Sequence, residues 1–377
     1  MRNLLKRAIA AAFAVMIVFS LRLNTAAYSA SAYILYDPDT GSVLTSCNAY
    51  ERRSMASTTK IMTALLLCED GRLNRIVKVK AKSVCVEGTS IGLKGGDIIP
   101  RENLLYGLLL ESGNDAANVI AAEIAGDSKK FAEKMNEKAA QIGMKRTHFV
   151  TPSGLDDKEH YTCCYDMALL AAYAMNNADF RKACSTLVYR SVYNNESTVR
   201  TYTNHNRLLR ELDGCIGIKT GFTKKSGRCL VTACERDGKR LIAVTLCAPD
   251  DWNDHKALYN YGFSQYENVR LPDNFNLSSV AVVGGDKTKV DIACESVQVM
   301  LHKDYGGRVN YVINLPSFVY APIRCGDTLG TVEYYADSKL IATAKITAQS
   351  MVWVKKADEP TALERIINYI GIMLRLC

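Results

Sequence analysis

The run Thr58–Cys68 is apolar on nearly every face of a helix, through Ile61, Met62, Ala64, Leu65, Leu66 and Leu67. A helix with no polar face cannot lie at a surface, so the rest of its domain must cover it on all sides. That demands a layered domain with a substantial core. The chain has 377 residues, enough for two or three domains at roughly 100–200 residues each. A hydrophobic fraction of 48% and a charged fraction of 23% are ordinary globular usage, which excludes disorder, collagen and coiled coil.

Around that helix, residues 33–265 read as mixed α and β. Tyr33–Tyr36 and Ser42–Thr45 flank the turn cluster Asp37-Pro-Asp-Thr-Gly41 and predict an opening hairpin. Leu104–Leu110 and Ala116–Ala125 predict helices on either side of Ser112-Gly113-Asn114. Cys229–Ala233 and Leu241–Cys247 flank Asp237-Gly238, a strong hairpin signal. From about residue 272 the texture changes to short β-rich runs (Val280–Val283, Val297–Leu301, Tyr311–Leu315, Thr331–Tyr335, Leu340–Ile346). These predict a small all-β domain.

Both ends carry targeting signals. Arg2, Lys6 and Arg7 precede an uncharged run, Ala8–Leu21, followed by small residues at Ala30-Ser31-Ala32, with Thr25-Ala26-Ala27 as an earlier cleavage option. The run falls short of the roughly 18–20 residues a spanning helix needs, so a signal peptide is favoured over a retained anchor. The expected product is an exported protein at the extracytoplasmic face of the membrane. At the far end, Leu363, Ile366, Ile367, Ile370, Met373 and Leu374 recur at helical spacing after a capping box at Thr361–Glu364. Such a helix is about 25 Å long; it suits the bilayer interface, or packing on its own domain or on another copy. The expected division is 1–32 signal peptide, 33–268 mixed α/β domain, 272–352 β-rich domain and 358–377 amphipathic helix.

Export also explains the charge. Lys plus Arg number 47 against 39 Asp plus Glu, a net +8. Four of those positive charges, Arg2, Lys6, Arg7 and Arg22, are the only charges in the first 32 residues, leaving +4 and no case for a nucleic-acid partner. Export normally favours disulfides. The 13 cysteines, however, are odd in number, and Cys68, Cys229 and Cys247 sit in apolar contexts, so most are expected to be small buried hydrophobes.

Three short motifs carry chemistry: Ser57-Thr58-Thr59-Lys60, Ser112-Gly113-Asn114 and Lys219-Thr220-Gly221. Each alone is weak, and Ser-x-Asn also occurs at Ser46-Cys47-Asn48; the ordered trio is specific. A serine hydroxyl needs a base within hydrogen-bond reach. Ser57 and Lys60 are one helical turn apart and share a face. Lys60 can serve as that base if burial or a second cation, such as Lys219, destabilises its ammonium. Near a helix N-terminus, Ser57 gains backbone N–H groups aimed at a reacting oxygen. Ser112 can relay a proton and Asn114 can bond a substrate amide. Lys219 and Thr220 can hold a carboxylate, and Gly221 permits close approach of substrate to the backbone.

The sequence resembles the low-molecular-mass penicillin-binding proteins that are D-alanyl-D-alanine carboxypeptidases (peptidase S11 type), over almost the whole mature chain. Ala56–Ala64 is similar to the family's nucleophile segment, and Leu105–Leu109 runs into Ser112–Ala117 as it does there. Thr147-His148-Phe149, Pro152–Asp156, His160-Tyr161-Thr162 before Asp166-Met167-Ala168, and Asn204–Leu209 before Gly217–Thr223 are similar as well. The resemblance implies the α/β (α+β) transpeptidase fold of penicillin-binding proteins and serine β-lactamases, an antiparallel sheet with flanking helices. It implies that Ser57 attacks the bond between the terminal D-alanines of a peptidoglycan stem peptide, with Lys60 as proton acceptor. The N–H groups of Ser57 and Phe222 would hold the oxyanion, and β-lactam antibiotics would acylate the same serine. The setting would be cell-wall synthesis, either vegetative wall trimming or spore cortex formation. The chain departs from the family in two places. Ser153 stands where some relatives have His. Asp250–Lys256 stands where relatives often place an arginine for the substrate carboxylate.

Two other functions share these motifs. A serine β-lactamase needs a deacylating carboxylate, and no Glu-x-x-x-Asn loop lies between Asn114 and Lys219. A non-catalytic penicillin-sensing or wall-binding protein would acylate without turnover. No metal site or other cofactor is expected: His148, His160, His205, His255 and His302 are scattered, and Cys163-Cys164 are vicinal rather than at zinc spacing.

Overall fold

A computed structural model describes residues 28–275, 278–305 and 307–355, together with 366, 367, 370 and 372. The chain divides into two compact units between Gln265 and Tyr266.

The first unit opens with the expected hairpin, β1 (Ala32–Asp37) and β2 (Ser42–Cys47). A 3-10 turn at Ala56–Thr59 leads into α1 (Lys60–Asp70). The short pair β3 (Ile76–Lys78) and β4 (Ile98–Pro100) precedes α2 (Arg101–Leu110), α3 (Asn114–Ala125), α4 (Ser128–Ile142), α5 (Cys164–Met175) and α6 (Ala178–Ser185). A ribbon of β5 (Val188–Tyr193) and β6 (Thr198–Thr203) and the single turn α7 (Leu208–Glu211) follow. β7 (Cys215–Thr223), β8 (Gly227–Arg236) and β9 (Lys239–Leu246) then complete the sheet, and α8 (Asp251–Gln265) ends the unit.

The sheet is five-stranded and antiparallel in the order β2-β1-β9-β8-β7. Strand alternation sends one set of side chains to each face. Ile34, Val231, Ile242 and Val244 join the helical core, while Leu35, Thr232, Ala243 and Thr245 face α8. On that second face His255 is fully buried. Its Nδ1 and Nε2 meet Thr232 and Thr245 hydroxyls at 2.7 and 3.0 Å, and burial pushes its pKa down to about 3. It is a neutral packing residue.

The apolar run behaves as its lack of a polar face requires. Ile61, Met62, Ala64, Leu65 and Leu67 are all fully buried, and α1 packs against α2 through α6 and against β7. At about 1.5–3 kcal/mol per buried large aliphatic side chain, α1 is a major stabilising element of the unit. Its start differs from the expectation at Thr58: residues 56–59 form a tighter 3-10 turn, and the α-helix begins at Lys60.

Up to Lys355 the described residues of the second unit are all-β. β10 (Tyr266–Arg270) pairs with β13 (Gln298–His302). A second sheet runs β14 (Asn310–Asn314), β16 (Thr328–Ala336), β17 (Lys339–Ala348), β12 (Lys289–Cys294), β11 (Ser279–Val283) and β15 (Phe318–Tyr320) in spatial order. Val290, Val299, Val332, Tyr334, Ala344 and Ile346 form its core. The sequence patterns missed β10, β12 and β15. No disulfide occurs among the described residues, and burial pushes the thiols of Cys163 and Cys229 up to about 11.

Both terminal expectations fall largely outside the described residues. Residues 1–27 do so entirely; of the 361–377 segment, Ile366, Ile367, Ile370 and Ile372 are described, helical and exposed. Residues 28–32 bear on the leader boundary. Ser29 N and Oγ donate to the two carboxylate oxygens of Asp254 at 2.8 and 2.7 Å, Ser31 N donates to Cys247 O, and fully buried Ala32 pairs with Leu246. A leader ending at Ala27, the earlier option, keeps these contacts, whereas one ending at Ala32 removes them. N-terminal sequencing of the exported protein is expected to start at Tyr28; a start at Tyr33 contradicts this.

Candidate active site

The three motifs converge although they lie on separate elements. Ser57 occupies the 3-10 turn and Lys60 the first position of α1, so the two remain one turn apart. Lys60 Nζ donates to Ser57 Oγ at 2.9 Å and to the backbone carbonyl of Ser153 at 2.6 Å. The Lys60 side chain is fully buried, and burial, reinforced by Lys219, holds its pKa well below the ordinary 10.5. Lysine becomes a usable base in that environment.

The nucleophile's turn is braced from two sides. On one side, the 150–154 segment runs along α1: Thr63 Oγ1 donates to Pro152 O, Ser153 O receives Lys60, and Gly154 lies against Ala56. A Cβ on Gly154, which has φ +88°, would sit 1.9 Å from Ala56 O. His160 supports the same wall. Its Nδ1 accepts from Val150 N at 2.9 Å, which leaves Nε2 to donate to Thr59 Oγ1 at 2.8 Å, and burial lowers its pKa to about 4. On the other side, β7 lies directly against the turn. A Cβ on Gly221 would meet the backbone N of Ser57 and of Thr58 at 3.1 Å each. The expected close approach at Gly221 is thus the strand's own approach to the nucleophile.

Ser57, Ser112, Thr220, Gly221 and Phe222 line one cavity of about 320 Å³ with Thr89, His205, Arg228, Asp251 and Trp252. Lys219 is 1% exposed, its Nζ donates to Thr220 O at 3.0 Å, and burial lowers its pKa to about 7. Asn114 is the first residue of α3, and its Nδ2 donates to Glu87 O at 2.6 Å, so it ties down the loop that carries Thr89. Asp115, which the sequence did not single out, does the same work. It is fully buried and accepts from Ser90 Oγ and from the backbone N of Ile91 and Leu93. Sequence reasoning also missed His205, which faces Glu111 at 3.3 Å, and the rim formed by Arg228, Asp251 and Trp252. The register Phe222↔Arg228 across the β7–β8 hairpin was the available signal.

The family model described as D-alanyl-D-alanine carboxypeptidase matches residues 20–250, and that described as penicillin-binding protein 5, C-terminal domain, matches residues 268–353. The chain is 32% identical to the D-alanyl-D-alanine carboxypeptidase DacF of Bacillus subtilis, over 92% of this chain and 91% of that one. It is 27% identical to DacA of Escherichia coli, over 91% and 87% of the two chains. Among solved structures, penicillin binding protein 5 from Haemophilus influenzae superposes with a TM-score of 0.75 at 28% identity, covering 86% of this chain and 98% of that one.

Lys219 gives the site a pH signature. Its ordinary pKa of 10.5 falls to about 7 on burial, so between those values folding expels a proton. The folded state is penalised increasingly as pH falls from 10.5, and fully below 7. Lys219→Met is therefore expected to raise the melting temperature more below pH 7 than near pH 10.5, while abolishing reactivity. A gain independent of pH contradicts the assignment.

Proposed function

The chain belongs to the D-alanyl-D-alanine carboxypeptidase family, and on that premise we propose how its own residues perform the reaction. The protein is a serine-type D-Ala-D-Ala carboxypeptidase of peptidoglycan metabolism, with a stem peptide as substrate and β-lactams as acylating inhibitors. The observation that carries the assignment of roles is the 2.9 Å bond between Ser57 Oγ and a lysine amine whose charged form burial disfavours.

Neutral Lys60 accepts the Ser57 hydroxyl proton as Oγ adds to the carbonyl of the penultimate D-alanine. The oxyanion is stabilised by the N–H groups of Ser57 and Phe222, donors fixed by the packing of β7 against the turn. The proton then passes from Lys60 through Ser112 to the departing amine, and D-alanine leaves. Water attacks the remaining ester, releasing a peptide one residue shorter and returning the proton to Ser57. Thr220 binds substrate along β7 with the Lys219 amine buried behind it, and Gly221 keeps that strand against the nucleophile. Asn114 Oδ1 accepts no hydrogen bond among the described residues and is available to a substrate amide.

The family works outside the cytoplasm. No described helix is long and apolar enough to cross a membrane. We assign attachment to residues 361–377 lying in the bilayer interface, a role supported by the helical spacing of their apolar residues.

Purified protein is expected to release D-alanine from a stem pentapeptide, and Ser57→Ala to reduce that rate by roughly 10⁴-fold or more. Intact-mass analysis should find a slowly hydrolysed penicillin adduct on Ser57; rapid penicillin turnover contradicts the reading. Removing residues 361–377 is expected to abolish co-sedimentation with anionic vesicles, and undiminished sedimentation refutes the anchor.

A further inference from the structure

We propose that Arg228 is the group that recognises the free C-terminal carboxylate of the substrate, with Asp251 and Trp252 as positioning residues that hold its guanidinium. This rests on the carboxypeptidase function above. An enzyme that removes only a terminal residue needs a cation on the leaving-group side of its nucleophile, because the terminal carboxylate stays ionised at neutral pH.

Lys219, which the motif suggests for this task, is poorly placed for it alone. It lies behind the cavity wall at 1% exposure, engages Thr220 O, and is only partly protonated at neutral pH. His205, another basic residue of the lining, faces Glu111. Arg228 is permanently charged, 40% exposed at its side chain, and lines the cavity with Ser57 and Thr220. It stands directly opposite Phe222 across the β7–β8 pair. Strand alternation therefore puts it on the face shared by Thr220 and Phe222.

The surroundings orient Arg228 without consuming it. Its Nε and Nη2 both donate to Asp251 Oδ1, at 2.9 and 2.8 Å, and Asp251 is itself 2% exposed at the start of α8. The guanidinium carbon lies 5.3 Å from the Trp252 ring centroid, within cation–π range. Arg207 lies 5.1 Å from the same ring, but it pairs with Glu211 and is outside the lining. A guanidinium has five N–H donors, and Asp251 occupies two. Nη1 enters no hydrogen bond among the described residues, which leaves an edge for a two-point grip on a carboxylate. The departure at Asp250–Lys256 then has a physical meaning. The segment where relatives often carry an arginine supplies here the carboxylate and ring that position an arginine from the neighbouring strand.

The test compares a peptide ending in D-Ala-D-Ala with its C-terminal amide, using the full chain. Arg228→Gln is expected to raise KM for the acid about 10- to 100-fold, with a smaller change in kcat and little change for the amide. Arg228→Lys should restore part of the loss. If Arg228→Gln fails to fold, Asp251→Asn, which leaves the guanidinium in place but unheld, is expected to raise KM for the acid alone by a smaller factor. A wild-type acid-over-amide preference retained in these variants overturns the proposal. Acylation of Ser57 by benzylpenicillin and by its methyl ester, followed by intact mass, reads carboxylate recognition without turnover. Acid-over-ester selectivity lost in Arg228→Gln supports Arg228 even if no D-alanine is released, a result that would sink the carboxypeptidase reading alone.

Discussion

The structure depends on keeping one lysine amine dry. Lys60 is fully buried at the start of a helix that is apolar on nearly every face, and its nearest polar partners are Ser57 Oγ and the Ser153 carbonyl. In water its ammonium would be stable and useless as a base. In this environment the charged form is disfavoured, and the neighbouring Lys219 disfavours it further. Both lysines cost folding free energy at neutral pH, a cost the surrounding core offsets. Stability given up at a reactive site is the usual form of the stability–activity trade-off.

Maintaining that environment fixes much of the architecture. The α1 helix must be enclosed, so helices α2 through α6 and strand β7 pack around it. Water must be kept from the amine, so the 150–154 segment closes over Lys60 with a backbone carbonyl and β7 closes from the other side. Two glycines make those approaches possible. A methyl group on Gly154 would collide with the turn bearing Ser57, and one on Gly221 would crowd it. Asn114 and Asp115 then hold the loop that carries Thr89 into the cavity wall. The outer rim, with Arg228, Phe222 and Trp252, is open to solvent, and that is where substrate must be selected.

Legibility in the sequence followed the range over which each feature is determined. Ser57 and Lys60 could be read because their relation is local, one turn of chain. The opening hairpin and the β8–β9 hairpin could be read because short turns dictate them. The α-helix start was misplaced because residues 56–59 wind more tightly, held by Thr58 and Thr59 hydroxyls bonded to Met55 O and Ala56 O, a local detail that periodicity does not encode. β12 was missed because only Val290 and Ile292 alternate inward, among exposed Lys289, Asp291 and Ala293. Arg228 was missed because its position depends on cross-strand register, and Trp252 because it comes from a separate helix. The second task of Asn114, whose amide nitrogen donates to Glu87 O, could not be read because that partner lies 27 residues away.

The central claim, that burial makes Lys60 the neutral base for Ser57, is tested most directly by titrating its side chain. Protein labelled with ¹³C at lysine Cε, with the Lys60 resonance assigned by its loss in Lys60→Arg, would report protonation by NMR. A midpoint well below 10.5, with Lys60 largely neutral at the pH where Ser57 is acylated, is the predicted result. A Lys60 that titrates near 10.5, as a solvated lysine does, would contradict it.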